Sequence, residues 1–210
     1  YKINEYGLFK GNRFVPCKDE EEIFKKFGFP YIPPELREGE GELERAKKGE
    51  LPRLIEEKDI QGVFHVHSTY SDGVAPLEEM VRTAEDLNYE YVGISDHSQS
   101  AKYAHGLEPA RLRKQEKEID QLRKKYKKIR IFWGIESDIL VDGKLDYPDS
   151  VLAGFDFVIG SVHSHFNLSE KDQTNRILRA MDSKYLTFVG HLTGRLLLSR
   201  DAYAVDVVRI

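Results

Sequence analysis

The 210-residue chain has the composition of an ordinary soluble globular protein, with 40% hydrophobic and 32% charged residues. No apolar run is long enough to cross a bilayer, and the first residues, YKINEYGLFK, lack a signal-peptide pattern. The single cysteine, Cys17, excludes an internal disulfide and suits a reducing, cytoplasmic location. A net charge of -4 argues against wholesale attraction to nucleic acid but leaves room for a local basic patch.

Residues 1–34 predict a small α+β unit in which a hairpin precedes a helix. The strand-like stretches YGLF and RFVP flank the turn-rich KGN. Asp19 is placed to cap the helix EEEIFKKF, and Gly28 is placed to end it. Residues 35–60 are rich in charge and poor in large apolar side chains, which predicts a linker with one short helix near Glu42–Lys48.

From Gln61 onward, short apolar runs alternate with helical patterns. The predicted strands are Val63–His67, Tyr91–Asp96, Ile129–Glu136, Phe157–His163 and Thr187–His191. The predicted helices are Pro76–Asn88, Pro109–Lys127, Pro148–Gly154 and Lys171–Ser183, with another beginning near Asp201. Alternation at this spacing indicates an α/β fold with a parallel sheet, either open or closed into a barrel.

Histidines and carboxylates recur at the ends of these predicted strands. They are His65, His67, His97, Glu136, His163 and His191, with Asp72 in the first loop. Because the carboxyl ends of parallel strands meet at one face, these side chains should converge there. Imidazole and carboxylate groups are ligands for Zn²⁺, Mn²⁺ or Fe²⁺, and this set exceeds the needs of one tetrahedral ion. We therefore predict a multinuclear metal centre suited to phosphoester hydrolysis.

Three basic features lie outside this pattern. His105 is interpreted as a surface residue, and His165, two residues after His163, as a residue that supports the ligands or faces the substrate. The basic end of the helix Pro109–Lys127 is interpreted as a solvated surface rather than as a DNA contact.

The segments FHVHSTYSDG, GISDHS, GIESDIL, IGSVH and GHLTGRLL resemble successive motifs of the PHP (polymerase and histidinol phosphatase) family. The spacing is similar to that of its branch fused to bacterial and archaeal-type family X DNA polymerases. NEYGLF, GFPYIPPELREG and LIEEKDIQG resemble the end of the polymerase thumb and the connector that follows it. The chain would thus comprise a thumb-like segment (1–34), a linker (35–60) and a truncated PHP domain (61–210).

The resemblance implies a distorted (β/α)7 barrel, of which this chain would cover about five of seven strands and would lack the final Asp-x-His motif. It also implies up to three divalent ions, Mn²⁺ or Zn²⁺, two of them short of one ligand without that motif. The implied ligands are, ion by ion, His65, His67 and Glu136; Glu136, His163 and His191; and Asp72 and His97. Among them, Glu136, His163 and His97 are predicted to be catalytic.

The implied activity is phosphoester hydrolysis at DNA 3′ ends, as a 3′–5′ exonuclease or 3′-phosphatase in DNA repair. The partners would be gapped or nicked DNA and a polymerase domain of the same parent chain. Arg195 is the first candidate for a phosphate contact, followed by Lys102 and Arg200, with a surface or salt-bridge role as an equal alternative for each. A small-molecule phosphatase of the histidinol phosphatase type and a non-catalytic PHP scaffold are the competing functions.

Overall fold

A computed structural model describes residues 1–196 and 198–210. The chain divides into two compact units, Tyr1–Glu56 and Glu57–Ile210. The finer division at residue 34, between a thumb-like segment and a linker, stays a prediction. None of the described helices combines the length and the apolar character needed to cross a membrane.

The first unit is a small antiparallel sheet followed by short helices. Its elements, all within described residues, are β1 (Lys2–Asn4), β2 (Gly7–Lys10), β3 (Arg13–Val15), α1 (Glu20–Lys26) and α2 (Glu42–Lys48), with a 3₁₀ turn at Pro34–Leu36. The predicted hairpin corresponds to β2 and β3, while β1 was not predicted. The Asp19 carboxylate accepts a hydrogen bond from the Glu22 amide at 3.0 Å, and Gly28 follows the helix with φ of +75°. Both predicted helix signals are therefore present.

The second unit alternates strands and helices. In chain order, its described elements are β4 (Gly62–Val66), α3 (Leu77–Asp86), β5 (Tyr91–Ile94), α4 (Pro109–Lys125), β6 (Arg130–Asp138), α5 (Asp149–Leu152), β7 (Phe157–Ser161), α6 (Glu170–Met181) and β8 (Phe188–Val189). Within the described residues, the strands form one parallel sheet in the order β4-β5-β6-β7-β8. This curled sheet confirms the predicted α/β fold, an incomplete barrel with five strands in the described part of the chain.

One hydrophobic core joins the helices to the sheet. Leu77 and Val81 on α3, Ile119 on α4 and Ile177 on α6 are fully buried in the same cluster as Ile135 of β6. These apolar faces anchor each helix against the strands, as amphipathic helices do in α/β folds. The strand ends therefore have a fixed framework.

Glycines in the strands make room for a layer of aromatic rings. The Phe64 ring lies 5.4 Å from that of Phe132 and 4.9 Å from that of Phe157, measured between centroids. A Cβ atom at Gly93 would overlap the Phe64 ring, and one at Gly134 would overlap the Phe157 ring. The absence of a side chain at these two positions thus lets neighbouring strands pack around the rings.

The prediction of a helix that begins near Asp201 is wrong. The described residues 201–206 form no regular structure, and a turn follows. The Tyr203 amide donates to the Thr193 carbonyl at 3.1 Å, and the Asp206 amide donates to Thr174 Oγ1 at 2.9 Å. Tyr203 is also buried and stacked on Phe166. These tertiary contacts hold the segment in place and override its local helical pattern.

Candidate metal centre

All predicted metal ligands meet at the carboxyl ends of the parallel strands. They line a single cavity of about 610 Å³: His65, His67, Asp72, His97, Glu136, His163 and His191. Several of them lie just beyond a strand rather than in it. His97 comes three residues after β5, and His163 comes two residues after β7. The predicted convergence is present in the structure, while the role of each residue as a ligand stays a prediction.

Glu136, near the end of β6, is the centre of this arrangement, and its side chain is only 1% exposed. Imidazole nitrogens of the described chain surround both oxygens. Oε1 lies near His65 Nε2 (2.9 Å), His191 Nε2 (2.9 Å) and His163 Nε2 (3.3 Å), and Oε2 lies near His97 Nδ1 (3.0 Å) and His67 Nε2 (3.5 Å). Burial alone would raise the pKa of Glu136, but hydrogen bonds with His163, His191 and His65 outweigh it and hold the pKa well below its usual range. Glu136 is therefore an anionic centre for the site.

His65 and His67 reach Glu136 by a less regular route than an ideal strand would provide. Regular alternation along β4 would place both imidazoles on one face. Instead, His65 has φ of +65°, and the pairing of β4 with β5 shifts between Val63 and Val66. The two rings nevertheless lie 5.1 Å apart between centroids. A left-handed backbone at a non-glycine residue costs free energy, and such strain is commonly found at functional sites.

The donor set fits divalent cations. Within the described residues, three groups have donor atoms within 4.8 Å of one another: His65, Glu136 and His191; His67, Asp72 and His97; and His97, Asp138 and His163. His97 Nδ1 and Glu136 Oε2 are buried and lie 3.0 Å apart, but their geometry is not that of a hydrogen bond. Neither atom has another hydrogen-bond partner among the described residues. Buried polar atoms without partners are costly, and a cation between such groups would satisfy them.

These groups divide the residues differently from the assignment that the resemblance implied. His67 lies with Asp72 and His97, whereas the resemblance joined it to His65 and Glu136. Which residues share an ion therefore stays a prediction.

Asp138 belongs to the site and was not among the predicted ligands. Its Oδ1 lies 2.5 Å from His163 Nδ1, and Ser100 Oγ donates to its Oδ2 at 2.9 Å. Burial alone would lower the pKa of His163, but hydrogen bonds with Asp138 and Glu136 raise it to about 9. Asp138 can thus orient His163 or bind a cation itself. The signal was available, because alternation along β6 places Asp138 on the same face as Glu136.

Asp96 is a second residue that the sequence analysis missed. Its carboxylate is fully buried and accepts hydrogen bonds from both the amide and the hydroxyl of Ser68, each at 2.7 Å. It also accepts from Ser71 Oγ at 2.5 Å and from Gln115 Nε2 at 2.6 Å. Asp96 therefore ties the end of β5 to α4 and to the loop that carries Asp72.

The three candidate phosphate contacts lie in different surroundings. Arg195 and Arg200 line the cavity, whereas Lys102 lies outside its lining and forms an ion pair with Glu108 at 2.5 Å. The Arg200 guanidinium donates to the Gly194 carbonyl at 2.8 and 3.0 Å. Arg195 is exposed and makes no hydrogen bond within the described part of the chain. Of the two arginines that line the cavity, Arg195 therefore has the guanidinium that the described chain does not hold in place.

Three further side chains bear on the sequence predictions. His105 and His165 do not line the cavity, and both have positive φ, at +55° and +54°. Tyr103 does line it and was missed by the sequence analysis. Partial burial and the nearby carboxylates of Asp138 and Glu136 raise the pKa of Tyr103 to about 12, which keeps its hydroxyl neutral.

A curled parallel sheet with imidazoles and carboxylates gathered at its carboxyl-terminal rim defines an α/β domain with a candidate multinuclear metal centre. The model of the PHP domain family matches residues 64–203, and that of the DNA polymerase beta thumb matches residues 1–38. The chain belongs to the PHP domain family.

Two known proteins are similar to the chain. The chain is 41% identical over 208 residues to the DNA polymerase/3′-5′ exonuclease PolX of Bacillus subtilis (strain 168), covering 98% of this chain and 36% of that protein. It therefore spans about a third of the length of this relative. The histidinol phosphate phosphatase HISK of Lactococcus lactis, solved with zinc, L-histidinol and phosphate, has a TM-score of 0.44 and 22% identity, covering 64% of this chain and 58% of that one.

Proposed function

We propose that this domain hydrolyses phosphoesters at DNA 3′ ends, as a 3′–5′ exonuclease or 3′-phosphatase. The observation that carries the proposal is the buried Glu136 carboxylate, which is surrounded by imidazoles and lines the same cavity as they do. The identity to a relative named as a polymerase and 3′-5′ exonuclease supports DNA as the substrate. The thumb match over residues 1–38 supports a polymerase domain in the same parent chain.

Different residues of this chain would have different roles in such a reaction. Glu136 and the surrounding imidazoles would hold the divalent cations, Mn²⁺ or Zn²⁺. Bound cations supply charge neutralisation at the phosphate and acidify a coordinated water. Asp138 contacts Nδ1 of His163 and so keeps Nε2 of the same ring directed at Glu136 Oε1. Arg195 offers a guanidinium to a phosphate oxygen at the cavity wall.

The two competing functions have less support. A small-molecule phosphatase of the histidinol phosphatase type would have no use for the thumb-like residues 1–38. A non-catalytic scaffold would not need donor groups assembled this closely, and each predicted ligand of the described chain is in the cavity. Gapped or nicked DNA with Mn²⁺ should therefore be hydrolysed faster than histidinol phosphate. A role in DNA repair, and with it a cytoplasmic location, is part of this proposal.

Replacing His97 by alanine tests the site directly. His97 is 7% exposed and belongs to two of the three donor groups, so its loss weakens both. We expect the rate of nucleotide release from a labelled nicked duplex with Mn²⁺ to fall at least about tenfold. His105→Asn is the matched control, because His105 lies outside the cavity and asparagine tolerates its left-handed backbone. Equal rates for the wild type and His97→Ala would refute the site.

Arg195 and Lys102 allow a paired test of phosphate recognition. We expect Arg195→Ala to raise the KM for DNA about tenfold, the effect of one lost charge-assisted hydrogen bond. Lys102→Ala should change it less than about twofold, because Lys102 is 72% exposed and paired with Glu108 away from the cavity. Steady-state kinetics on one oligonucleotide measure both. The reverse ranking would assign the phosphate contact to Lys102.

A further inference from the structure

Tyr103 presents an exposed aromatic ring beside the metal ligands. It lies in the 3₁₀ turn Lys102–Ala104 and lines the cavity that holds Glu136. Its ring centroid is 6.0 Å from that of His97 and 6.3 Å from that of His163, yet the residue is 67% exposed. A large apolar surface facing solvent at the mouth of a polar site suits a ligand with a flat face of its own.

The turn that carries Tyr103 is firmly anchored. Ala101 and Ala104 are buried, at 0% and 1% exposure, and the Ala104 and Gly106 amides both donate to the Ala101 carbonyl at 3.0 Å. A Cβ atom at Gly106 would overlap the Ser98 carbonyl oxygen, so the backbone packs too closely there for a side chain. The backbone that carries the ring is thus held firmly relative to the strand end that carries His97, and binding a ligand there orders the Tyr103 side chain without reorganising the turn.

The other aromatic ring in the cavity wall is already covered. The Arg200 guanidinium lies 4.0 Å from the Phe166 ring centroid, and Phe166 stacks on Tyr203 at 6.0 Å with an interplanar angle of 17°. Among the described residues that line the cavity, Tyr103 therefore has the aromatic face that a ligand can reach. Arg195 lines the same cavity and supplies a positive charge.

We propose that Tyr103 stacks on the base of the 3′-terminal nucleotide while the adjacent phosphate lies at the Glu136 end of the cavity. The inference rests on the proposed function and adds the residue that recognises the nucleoside. Base–aromatic stacking tolerates any sequence, because every base has a π-face. A cavity of about 610 Å³ is within the range of sites that enclose a small organic ligand. Tyr103 is thus a nucleobase-binding residue, separate from those that hold the cations.

Kinetics on two DNA ends test the stacking contact. We expect Tyr103→Ala and Tyr103→Leu to raise the KM for a normal 3′ end roughly tenfold, with kcat changed less than about twofold. Tyr103→Phe keeps the ring and should behave like the wild type, which excludes a role of the hydroxyl. On an oligonucleotide with a tetrahydrofuran abasic residue at its 3′ end, all four proteins should have the same KM. An equal loss on both ends, or no loss on either, would overturn the proposal.

A binding measurement separates this inference from the proposed function. An oligonucleotide with 2-aminopurine at its 3′ end and a nuclease-resistant phosphorothioate as its last linkage is titrated with metal-loaded protein, and stacking is read as fluorescence quenching. Quenching by the wild type and Tyr103→Phe, but not by Tyr103→Leu, supports stacking even if neither DNA end is hydrolysed, which would refute only the proposed function. Equal quenching by all variants overturns the role of Tyr103 even if DNA is hydrolysed. Placing 2-aminopurine in the middle of the strand provides the control, for which no quenching is expected.

Discussion

Glu136→Gln is expected to abolish most metal binding and to lower the hydrolysis rate at least about a hundredfold. Residues that only support metal ligands cost about tenfold to a hundredfold when they are replaced, and Glu136 lies at the centre of the donor set. Glutamine keeps the size of the side chain but removes its negative charge. It also places an amide NH₂ group, which cannot bind a cation, among the imidazoles that in the wild type lie 2.9 to 3.5 Å from Oε1 and Oε2.

Two readouts distinguish this effect from a folding defect. Metal content of the purified protein and zinc titration calorimetry report on binding, and release of nucleotide from a labelled DNA 3′ end reports on hydrolysis. Glu79→Gln, at an exposed position on α3, is the matched control and should retain both properties. A Glu136→Gln protein that holds wild-type amounts of metal would show that the carboxylate is not a ligand.

The sequence predicted the rim of the site because the approximate positions of the strands and of their ends follow from hydrophobic periodicity. Apart from Asp72 in the first loop, the predicted ligands lie near the end of a strand or within three residues after it, and parallel strands bring such positions together whatever the conformation of the loops between them. Exact strand ends did not matter. β5 ends at Ile94 rather than Asp96, yet His97 still reaches Glu136.

The residues that were missed depend on tertiary geometry. Tyr103 reaches the cavity because a turn beyond β5 folds back on Ala101, a path that no periodic pattern specifies. The positive φ of His65 likewise depends on the shift in strand pairing next to it. The prediction of a helix after Asp201 failed for the same reason, since contacts of Tyr203 with distant residues determine the path of this segment. Local signals alone could not have found these features.

Asp96→Ala is expected to destabilise the metal-free protein by about 3–5 kcal/mol, although Asp96 is not a predicted ligand. Removing one partner of a buried charged network leaves the others unpaired, at about 1–3 kcal/mol for each group that water cannot reach. Here the groups left behind include the Ser68 amide and hydroxyl and the Gln115 amide. Urea unfolding monitored by circular dichroism measures the loss.

The same substitution should also weaken metal binding at temperatures where the variant remains folded. Asp96 fixes Ser68 and Ser71, and Asp72 follows directly in that loop with its Oδ1 3.4 Å from His67 Nδ1. A loosened loop holds Asp72 less well, so zinc affinity should fall about tenfold or more, as it does when groups that orient ligands are lost. Ser68→Ala removes one hydroxyl donor but leaves the carboxylate, and should show a smaller fraction of both effects. If Asp96→Ala lowers stability but leaves zinc affinity unchanged, Asp96 supports the fold alone and the position of Asp72 is fixed by other contacts.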